Sequence, residues 1–431
     1  MIKSILRFLI SITYIFLIPL FLLIIPLVRL KFLTVSSNRL VWGSTPINSY
    51  AYFSKAMSNN GYLSETFTFD YYAINKRKDF DRILSEEYFL ILPHFRPIFG
   101  FIDAMFRYDI FFTTYEGFFI GDTKIKFLQA QILKLAGKKI VVIPFGSDAY
   151  VYRNIRSVSA IHGLMLSYPQ RSREQDKILK NINYWNKHAD IVLPSFMGPD
   201  GIGRWDVLVP NIISIDTLKW KASKRKQKNN GINGTVKIVH APNHRGCKGT
   251  EYIIKAIEEL IEEGLKIDLK LLENVKNDDV REFFEKKADI LIDQLITLGH
   301  GQTAVEGMSS GLTTISNLED ENQLIHLRRW TYFNECPIVS ASPETVKGVL
   351  RKLVTQPETR NKLGKAGREY VEKFHSYNSA TFLFKNVINF INGDNGEKID
   401  LMNLYHPIFG KYPNMSKKIN HPLINNRIID T

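Results

Sequence analysis

Short apolar runs alternate with longer amphipathic segments along most of the chain. Such alternation is typical of a mostly parallel sheet that is covered by helices on both faces. We therefore predict an α/β domain over residues 32–218. Each apolar run in this half ends in glycine, proline or a small polar residue, and the strands predicted in this way cover residues 39–42, 88–92, 109–113, 139–143 and 191–194.

The alternation restarts in the second half and predicts another α/β domain over residues 236–376. The helical period is clear over 250–264, where Ile253, Ile257 and Leu260 share one face. Two doubly wound sheets in series imply a cleft between them, with ligands at the carboxyl ends of the strands. The other predicted elements are strands over 236–240, 267–272, 289–292 and 312–316, and helices over 278–286, from about 303, from Ser342 with Pro343 at its first position, and within 365–391.

Three further segments complete the predicted organisation. Residues 219–235 contain the run KWKASKRKQKNNGIN and are expected to form a basic linker. Residues 377–395 are expected to form a helix that crosses back to the first domain, and residues 396–431 a polar tail. A basic run of this kind is usually a solvated face, and no motif for RNA or DNA accompanies it. We therefore do not expect nucleic acid as a partner.

Residues 8–28, FLISITYIFLIPLFLLIIPLV, form an uncharged run of 21 residues near the N-terminus. As a helix this run is ~31 Å long, about the thickness of a bilayer's hydrocarbon core. A cleaved signal peptide is disfavoured because no small-x-small site follows. A buried core helix is the alternative, and Pro19 and Pro26 also permit a kinked or re-entrant segment. We predict that residues 1–31 form a single membrane anchor; the basic residues on both sides leave its orientation open.

The composition restricts the class of protein further. Of 431 residues, 45% are hydrophobic and 23% are charged, which excludes an extended disordered chain. The net charge of +14 favours an anionic partner, namely nucleic acid, a membrane surface or a phosphorylated substrate. The chain has only two cysteines, Cys247 and Cys336, which excludes a disulfide scaffold and a zinc ribbon.

The loop that follows strand 236–240 reads APNHRGCKGT and places two cations before a helix. Arg245 and Lys248, with Gly246 and Gly249 beside them, lie where unpaired N–H groups of a helix attract an anion. A diphosphate suits this arrangement best. The alternative is a surface turn that carries two solvated cations.

The loop that follows strand 289–292 reads QLITLGHGQTAVEGMSSG. Gly299 and Gly301 allow the backbone to approach a ligand closely. The amides at the start of the next helix face the same direction and suit a phosphate, which singles out Gln302, Thr303 and Ala304.

Two further side chains of this loop and helix are candidates for ligand contact. Glu306 lies one turn inside the helix, and its carboxylate suits a ribose diol because it accepts two hydroxyl hydrogen bonds. The alternative is that Glu306 only complements the helix dipole. For His300, we favour a turn or surface residue over a catalytic one.

Three blocks of the second half, in this order, resemble a known family: HAPNHRGCKGTEYIIKAIEEL, ADILIDQLITLGHGQTAVEGMSSGLTTI and CPIVSASPETVKGVLRKLVTQPETRNKLGKAGREYVEKFHS. They look like the nucleotide-sugar-binding half of GT-B glycosyltransferases of the family-4-like, retaining type. The first half resembles the acceptor domain more weakly, in VWGSTPINSYAYFSKAMSNNG, YDIFFTTYEG and GKKIVVIPFGSDAY. The resemblance implies two Rossmann-like domains that face a cleft.

The resemblance also implies roles for single residues. Arg245 and Lys248 match the basic pair that holds the donor diphosphate and neutralises the leaving group. Glu306 matches the second glutamate of the family's E-x7-E motif, expected on the donor ribose. The further positions that match are Gly43, Ser44, Thr45, His244, Gly299, His300, Gly301, Gln302, Thr303 and Ala304 on the donor side, and Glu116, Ser147 and Asp148 on the acceptor side.

The sequence departs from the family's pattern in both halves. In the first half, FFTTYEG stands where related enzymes often carry histidine, and Glu116 is the candidate substitute. Leu298 stands where the first glutamate of E-x7-E is expected, and that acid normally touches the transferred sugar. No convincing DxD motif is present, which fits the metal-independent scheme in which arginine and lysine replace the divalent ion. No cofactor is therefore expected beside the nucleoside-diphosphate sugar.

These observations together predict a hexosyltransferase at the cytoplasmic face of the inner membrane. Its acceptor is expected to be a glycan, lipid-linked as in the synthesis of cell-surface polysaccharides, and its single N-terminal anchor would leave both catalytic domains in the cytoplasm. Two alternatives stay open: an inactive GT-B-like subunit that binds a nucleotide or glycan, and a sugar-nucleotide epimerase on the same fold.

Overall fold

A computed structural model of the chain describes residues 18–34, 38–72, 75–194, 201–209, 212–223, 227–319, 324–393, 401–406, 408 and 417–428. Two parallel sheets, one in each half of the chain, form the framework, and a short antiparallel hairpin lies near the C-terminal end.

The first sheet has six parallel strands in the order β3-β2-β1-β4-β5-β6. Its strands are short and largely buried, as expected for a parallel sheet with helices on both faces. The strands are β1 (Leu40–Trp42), β2 (Ser64–Thr68), β3 (Arg82–Ile83), β4 (Ile110–Thr113), β5 (Lys139–Val142) and β6 (Ile191–Val192). The helices of this half are α1 (Ile18–Thr34), α2 (Asn48–Asn59), α3 (Leu84–Glu87), α4 (Arg96–Arg107), α5 (Gln129–Leu135), α6 (Val158–Ser167) and α7 (Gln175–His188).

The second sheet has five parallel strands in the order β11-β10-β9-β7-β8. The strands are β7 (Val236–His240), β8 (Ile267–Leu271), β9 (Ile290–Ile292), β10 (Thr313–Ser316) and β11 (Val339–Ser340), and the hairpin consists of β12 (Leu423–Ile424) and β13 (Arg427–Ile428). The helices are α8 (Arg245–Lys248), α9 (Thr250–Glu262), α10 (Asn277–Lys286), α11 (Gln302–Ser309), α12 (Leu324–Trp330), α13 (Val346–Thr355), α14 (Pro357–Phe374) and α15 (Tyr377–Asn392).

The strand predicted over residues 88–92 is wrong. Helix α3 and a turn occupy this region, and two carbonyl groups of the turn are bound by Arg96 and not by a neighbouring strand. The sheet edge is formed instead by β2 and β3, which the prediction missed because β2 begins with two polar residues and β3 has only two residues.

Helix α15 connects the two domains. It leaves the second domain after α14 and packs against α2 of the first. Phe384 meets the ring of Trp42 edge-on at 4.8 Å between centroids, and Trp42 in turn stacks on Phe112 at 3.7 Å. One buried apolar core therefore contains residues from both domains.

The described part of the predicted basic linker is mostly exposed, but two of its side chains are buried. Trp220 is fully buried, and its indole N–H donates to the hydroxyl of Tyr52 at 3.3 Å. Gln227 is also buried, and its amide donates to the carbonyl of Asp289 at 3.1 Å. Trp220 and Gln227 thus attach the segment to the protein interior, while its described lysines are exposed.

The predicted polar tail also contains ordered structure. The hairpin β12–β13 lies beside β11, where the Asn426 amide donates to the carbonyl of Ile338 at 3.1 Å. Leu401, Leu404 and Tyr405 are buried in the core that joins the domains. The prediction failed here because these apolar residues are spaced irregularly and have no period of their own.

Helix α1 covers the C-terminal part of the predicted membrane anchor. Its residues Phe21, Ile25 and Val28 are buried against the first domain. Within the ranges that the structure describes, no helix combines the length and apolar character needed to cross a bilayer. Residues 8–17 of the predicted anchor lie outside the described residues.

Arg360 has a fully buried guanidinium that joins three segments of the second domain. It donates to the side chain of Gln227 at 2.7 Å, to the carbonyl of Val354 at 2.8 Å and to the carbonyl of Asn229. We expect Arg360→Met to lower the free energy of unfolding by about 2–3 kcal/mol, because buried acceptors lose their donor.

Urea unfolding measures this loss, with Lys362→Met as the control. Lys362 lies on the same helix and is exposed, so its replacement is expected to change stability by less than about 0.5 kcal/mol. Equal stability of the two variants would contradict a structural role for the buried guanidinium.

Candidate functional site

A cleft between the domains is bordered by loops that follow the strands of both sheets. In the first sheet the order reverses between β1 and β4, and in the second between β7 and β9. Loops that follow the strands at such a point diverge and leave room for a ligand. The cleft between the domains has a volume of about 610 Å³, within the range of ~300–1,000 Å³ that small-molecule sites occupy.

Lys248 lies at the bottom of this cleft, on the side of the second domain. Its ammonium contacts a carboxylate oxygen of Asp293 at 2.6 Å and the side-chain oxygen of Gln294 at 3.0 Å. Both partners follow β9 directly, so the loops after β7 and β9 meet at this ammonium group. A largely buried cation at the carboxyl ends of the strands is suited to an anionic ligand group.

The Asp293 carboxylate organises the loop beside Lys248. Its second oxygen accepts a hydrogen bond from the Gly301 N–H at 2.7 Å. Burial opposes ionisation of this group, but Lys248 and the Gly301 amide together hold the pKa of Asp293 below its usual value. A Cβ at position 301 would lie 3.4 Å from the ammonium of Lys248, an ordinary contact distance, so the role of Gly301 here rests on its backbone N–H.

Arg245, the second cation predicted to hold the diphosphate, does not line the cleft. Its guanidinium is 41% exposed and pairs with Glu251 and Glu273 at 2.8 and 2.9 Å. Two nearby carboxylates hold the side chain on the outer side of the loop, while Lys248, one helical turn later, points inward. The structure therefore brings one member of the predicted basic pair to the site.

Glu306 lies in the cleft on helix α11 and is buried. It accepts a hydrogen bond from the side-chain amide of Asn277 at 3.3 Å. Burial raises the pKa of Glu306 to about 7, against the hydrogen bonds from Asn277 and Gln302, which lower it. A carboxyl group that faces the cleft and titrates near neutral pH is a candidate for ligand contact.

The remaining residues predicted on the donor side have different positions. His244, His300, Gly301, Gln302 and Thr303 line the cleft. His300 is buried behind the loop, and this burial lowers its pKa to about 4, so the imidazole is neutral at pH 7. Gly299 and Ala304 do not line the cleft. Gly299 turns the loop with a positive φ of 81°, and Ala304, on α11, is buried in the core.

On the first domain, the loop after β1 divides the cleft from a smaller side chamber. The chamber has a volume of about 270 Å³, and Thr45 lines both spaces. Ser44 is buried; its hydroxyl accepts from the Phe119 N–H at 3.1 Å and so joins the loops after β1 and β4. Gly43 lies against the backbone of Phe67, where a Cβ would lie 2.1 Å from the carbonyl oxygen.

Of the three residues predicted on the acceptor side, only Glu116 lines the side chamber. Its carboxylate pairs with Arg171 at 2.8 Å. Asp148 faces neither the chamber nor the main cleft. Its carboxylate accepts from the N–H groups of Tyr115, Phe145 and Gly146, each at 3.0 Å.

Asp148 thus organises the loop, and its predicted contact with the acceptor stays a prediction. The burial of its carboxyl group raises its pKa to about 7 although three amides favour the ionised form. Ser147, in the same turn, lines neither space. The Asp148 carboxylate of the GSD motif therefore shapes the loop after β5.

At one edge of the cleft, a glycine of the first domain contacts a glycine of the second. Gly163 of α6 faces Gly246 of α8 so closely that a Cβ on Gly246 would lie 3.1 Å from the Gly163 carbonyl oxygen and 2.8 Å from the Cβ of Leu166. The Cys247 N–H donates to the hydroxyl of Ser167 at 2.9 Å. This contact sets the distance between Lys248 and the first domain.

The prediction did not name Gln294 and Asn277, which line the cleft, or the buried Asp293, which pairs with Lys248. The signal for Asp293 and Gln294 was their place directly after a buried apolar strand, where ligand contacts of parallel sheets concentrate. Asn277 gave no such signal, because an amide at the start of a helix is common. In the described part of the chain, no group of three or more His, Cys, Asp or Glu residues is arranged to hold a metal ion.

The raised pKa of Glu306 predicts a pH-dependent stability. Between pH ~4.5 and ~7 the unfolded chain releases this proton while the folded chain keeps it, so the free energy of unfolding falls as the pH rises. The glutamine side chain of the variant Glu306→Gln does not titrate in this pH range. We expect the unfolding free energy of the wild type relative to E306Q to fall by roughly 2–3 kcal/mol across this window.

Urea unfolding at several pH values between 4 and 8 measures this difference. Glu262→Gln, at an exposed position of α9, is the control and should follow the wild type at every pH. A constant difference between wild type and E306Q over this window would contradict a buried carboxyl group that keeps its proton.

Two solved structures resemble this one over most of their length. Sucrose-phosphate synthase from Thermosynechococcus elongatus superposes with a TM-score of 0.54 at 12% identity, over 83% of this chain and 100% of its own. HepE from Anabaena, in complex with UDP-glucose, superposes with a TM-score of 0.51 at 12% identity, over 81% of this chain and 98% of its own. No protein-family model and no curated protein matches the sequence.

These likenesses agree with the strand orders and the cleft between the sheets. The chain has the GT-B fold, with two Rossmann-like domains that face each other. The predicted fold class is confirmed in this respect.

Proposed function

We propose that the protein is a glycosyltransferase that uses a nucleoside-diphosphate sugar. The observation that carries the proposal is the position of Lys248, a largely buried cation in a cleft of the right size, next to the start of helix α11. The cation and the helix amides together suit a diphosphate. The solved structure of HepE holds UDP-glucose, which makes this sugar nucleotide the first donor to test.

In the mechanism that we propose, the donor diphosphate lies between Lys248 and the amides of the Gly301–Thr303 turn. The bond between the anomeric carbon and the diphosphate breaks with oxocarbenium-like character, and Lys248 stabilises the charge that develops on the leaving group. The acceptor hydroxyl oxygen forms the new bond to the anomeric carbon as the bond to the diphosphate breaks, and its proton passes to an oxygen of the departing diphosphate. This scheme uses no metal ion; retention of configuration is inferred from the resemblance in sequence.

Glu306 is proposed to accept hydrogen bonds from the ribose hydroxyls. It lies on α11 in the same cleft as Lys248, and its carboxylate form is accessible near neutral pH. The position expected to touch the transferred sugar is occupied by Leu298, which lines the cleft as an apolar residue. We therefore leave the identity of the sugar to a screen of donors.

The side chamber of the first domain is proposed to bind the acceptor. Its lining combines the aromatic rings of Phe69, Tyr71, Tyr72 and Phe119 with the carboxylate of Glu116. Apolar ring faces and carboxylates suit a sugar, which has both C–H and hydroxyl surfaces. The chamber adjoins the main cleft at Thr45, so a sugar placed there lies beside the donor site.

A lipid-linked glycan as the acceptor, at the cytoplasmic face of the membrane, is the finer part of the proposal. The uncharged run at residues 8–28 and the surplus of positive charge support it. Synthesis of a cell-surface polysaccharide is the process in which such a donor and acceptor meet.

The test is a screen of nucleoside-diphosphate sugars for release of the nucleoside diphosphate, with and without glycan acceptors. We expect release that depends on an acceptor. A new sugar nucleotide formed from the donor alone would instead support the epimerase. Saturable binding with no turnover under any condition would support the inactive subunit and contradict the transferase.

A further inference from the structure

Helix α1 lies along the surface of the first domain with one side buried. Phe21, Ile25 and Val28 recur at the spacing of one helical face and are buried. The ring of Phe21 meets that of Phe101 on α4 edge-on, with 5.9 Å between centroids. The axis of α1 is therefore fixed along the domain surface, and its opposite face is turned outward.

The outward face of α1 is made of leucine. It joins a second apolar group on the loop between α3 and α4 and at the start of α4. All eight side chains are between 47% and 85% exposed, which is unusual for large apolar residues that lie close together. We name this the leucine surface, and it consists of Leu22, Leu23, Leu27, Leu30, Phe89, Leu90, Leu92 and Phe99.

The loop of the leucine surface is held in place by Arg96. The guanidinium of Arg96 donates to the carbonyl of Ile91 at 2.8 Å and to that of Phe89 at 3.0 Å. These hydrogen bonds pair two carbonyl groups of the loop with Arg96. The apolar side chains of Phe89, Leu90 and Leu92 lie outside the core. A loop that is fixed by hydrogen bonds and still presents Leu90 at 85% exposure is arranged for contact with an apolar partner.

The helix and the loop belong to one surface. Phe99 lies on the same stripe of α4 as Ile102 and Phe106, three and seven residues later. Both of these residues pack against the core that includes Ile24 of α1. The ammonium of Lys31 lies 6.0 Å from the ring of Phe106 and Phe21 meets Phe101, so α1 runs beside the second half of α4 in the same direction.

Positive charge borders the leucine surface. Arg29 and Lys31 are exposed at the C-terminal end of α1. Lys134 is exposed on α5, which also contacts α1. Leucine and phenylalanine side chains beside lysine and arginine complement the acyl boundary and the phosphate layer of an anionic bilayer.

We propose that the leucine surface is a docking surface for an anionic membrane, with α1 parallel to the bilayer plane and the Phe89–Leu92 loop inserted into it. This adds a defined membrane-facing side to the proposed function. Binding to vesicles needs no donor or acceptor, so this proposal and the proposed function fail or succeed in separate experiments.

An environment-sensitive NBD label at position 90 tests the proposal in the full chain. Leu90→Cys carries the label, Ile232→Cys is the matched control at an exposed position of the second domain, and the wild type is the blank because both native cysteines are buried. With vesicles of phosphatidylcholine and phosphatidylglycerol, we expect a severalfold rise and a blue shift of the emission at position 90, and no change at position 232. Equal responses at the two positions would overturn the proposal.

A flotation assay with the same vesicles gives an independent measure. We expect the variant Phe89→Ser, Leu90→Ser, Leu92→Ser to partition at least tenfold less than a variant with serine at the exposed positions Leu218, Ile232 and Ile424. Equal partitioning of the two variants would count against membrane insertion of the loop. A rise in label emission with protein concentration, in the absence of vesicles, would assign the surface to a second copy of the chain and reject the membrane.

Discussion

Replacing Lys248 by methionine is expected to lower the rate of nucleoside-diphosphate release about 10²–10³-fold at saturating donor. The reason is that its ammonium lies inside the cleft and faces the position proposed for the leaving group. Loss of one charge-assisted contact to a developing charge costs roughly 3–4 kcal/mol of transition-state stabilisation. Steady-state assays with the donor found in the screen give this value.

The same change also affects stability, and the two effects need to be separated. Asp293 is fully buried and loses its ion-pair partner in K248M, which costs about 3–5 kcal/mol. Adding Asp293→Asn removes the unpaired charge. We therefore expect K248M/D293N to recover most of the stability but none of the turnover.

Lys255→Met, at an exposed position of α9, is the matched control and should retain both properties. Recovery of turnover in K248M/D293N would contradict a direct role of Lys248 in charge stabilisation. It would show that the ammonium acts only by neutralising Asp293.

Gly246→Val is expected to lower turnover at least ~10²-fold while leaving the affinity for the donor nearly unchanged. The valine side chain would overlap Leu166 and the carbonyl of Gly163, so the two domains could not approach as they do here. The donor site on the second domain would stay intact, but an acceptor on the first domain would lie too far from it. A displacement of about 1 Å between reacting groups is enough for a loss of this size.

Gly348→Val provides the control for the loss of a helical glycine. Gly348 lies in α13 of the same domain, and no atom lies within 4 Å of the position that a Cβ would take. Its replacement is expected to leave turnover unchanged. If G246V turned over as fast as G348V, the contact between α6 and α8 would have no part in bringing the domains together.

The fold was predictable where buried strands alternate with helices of clear period. Strand β7 and helix α9 were placed within two residues of their observed ends, because β7 is a short buried run and α9 buries one regularly spaced face. The run at 88–92 misled the prediction since its apolar residues face outward on a loop that Arg96 holds. Exposure of an apolar run depends on tertiary contacts and is not encoded in its own period.

The site was predictable as a region but not in all its residues. The loops after β7 and β9 were singled out correctly, because ligands of parallel sheets bind at the carboxyl ends of strands. Arg245 and Lys248 looked equivalent in the sequence. Arg245 turns away because it pairs with Glu251 and with the more distant Glu273. Asp148 was predicted as an acceptor contact from the family resemblance, and the sequence did not indicate that its carboxylate accepts from three backbone amides.

Isothermal titration of UDP-glucose and other nucleoside-diphosphate sugars against the wild type and K248M/D293N tests the central claim most directly. The claim is that the cleft binds a sugar nucleotide through its diphosphate at Lys248. We expect saturable binding of at least one donor to the wild type, weakened tenfold or more in the double variant. The account would be contradicted if no donor bound to the wild type, or if both proteins bound the same donor with equal affinity.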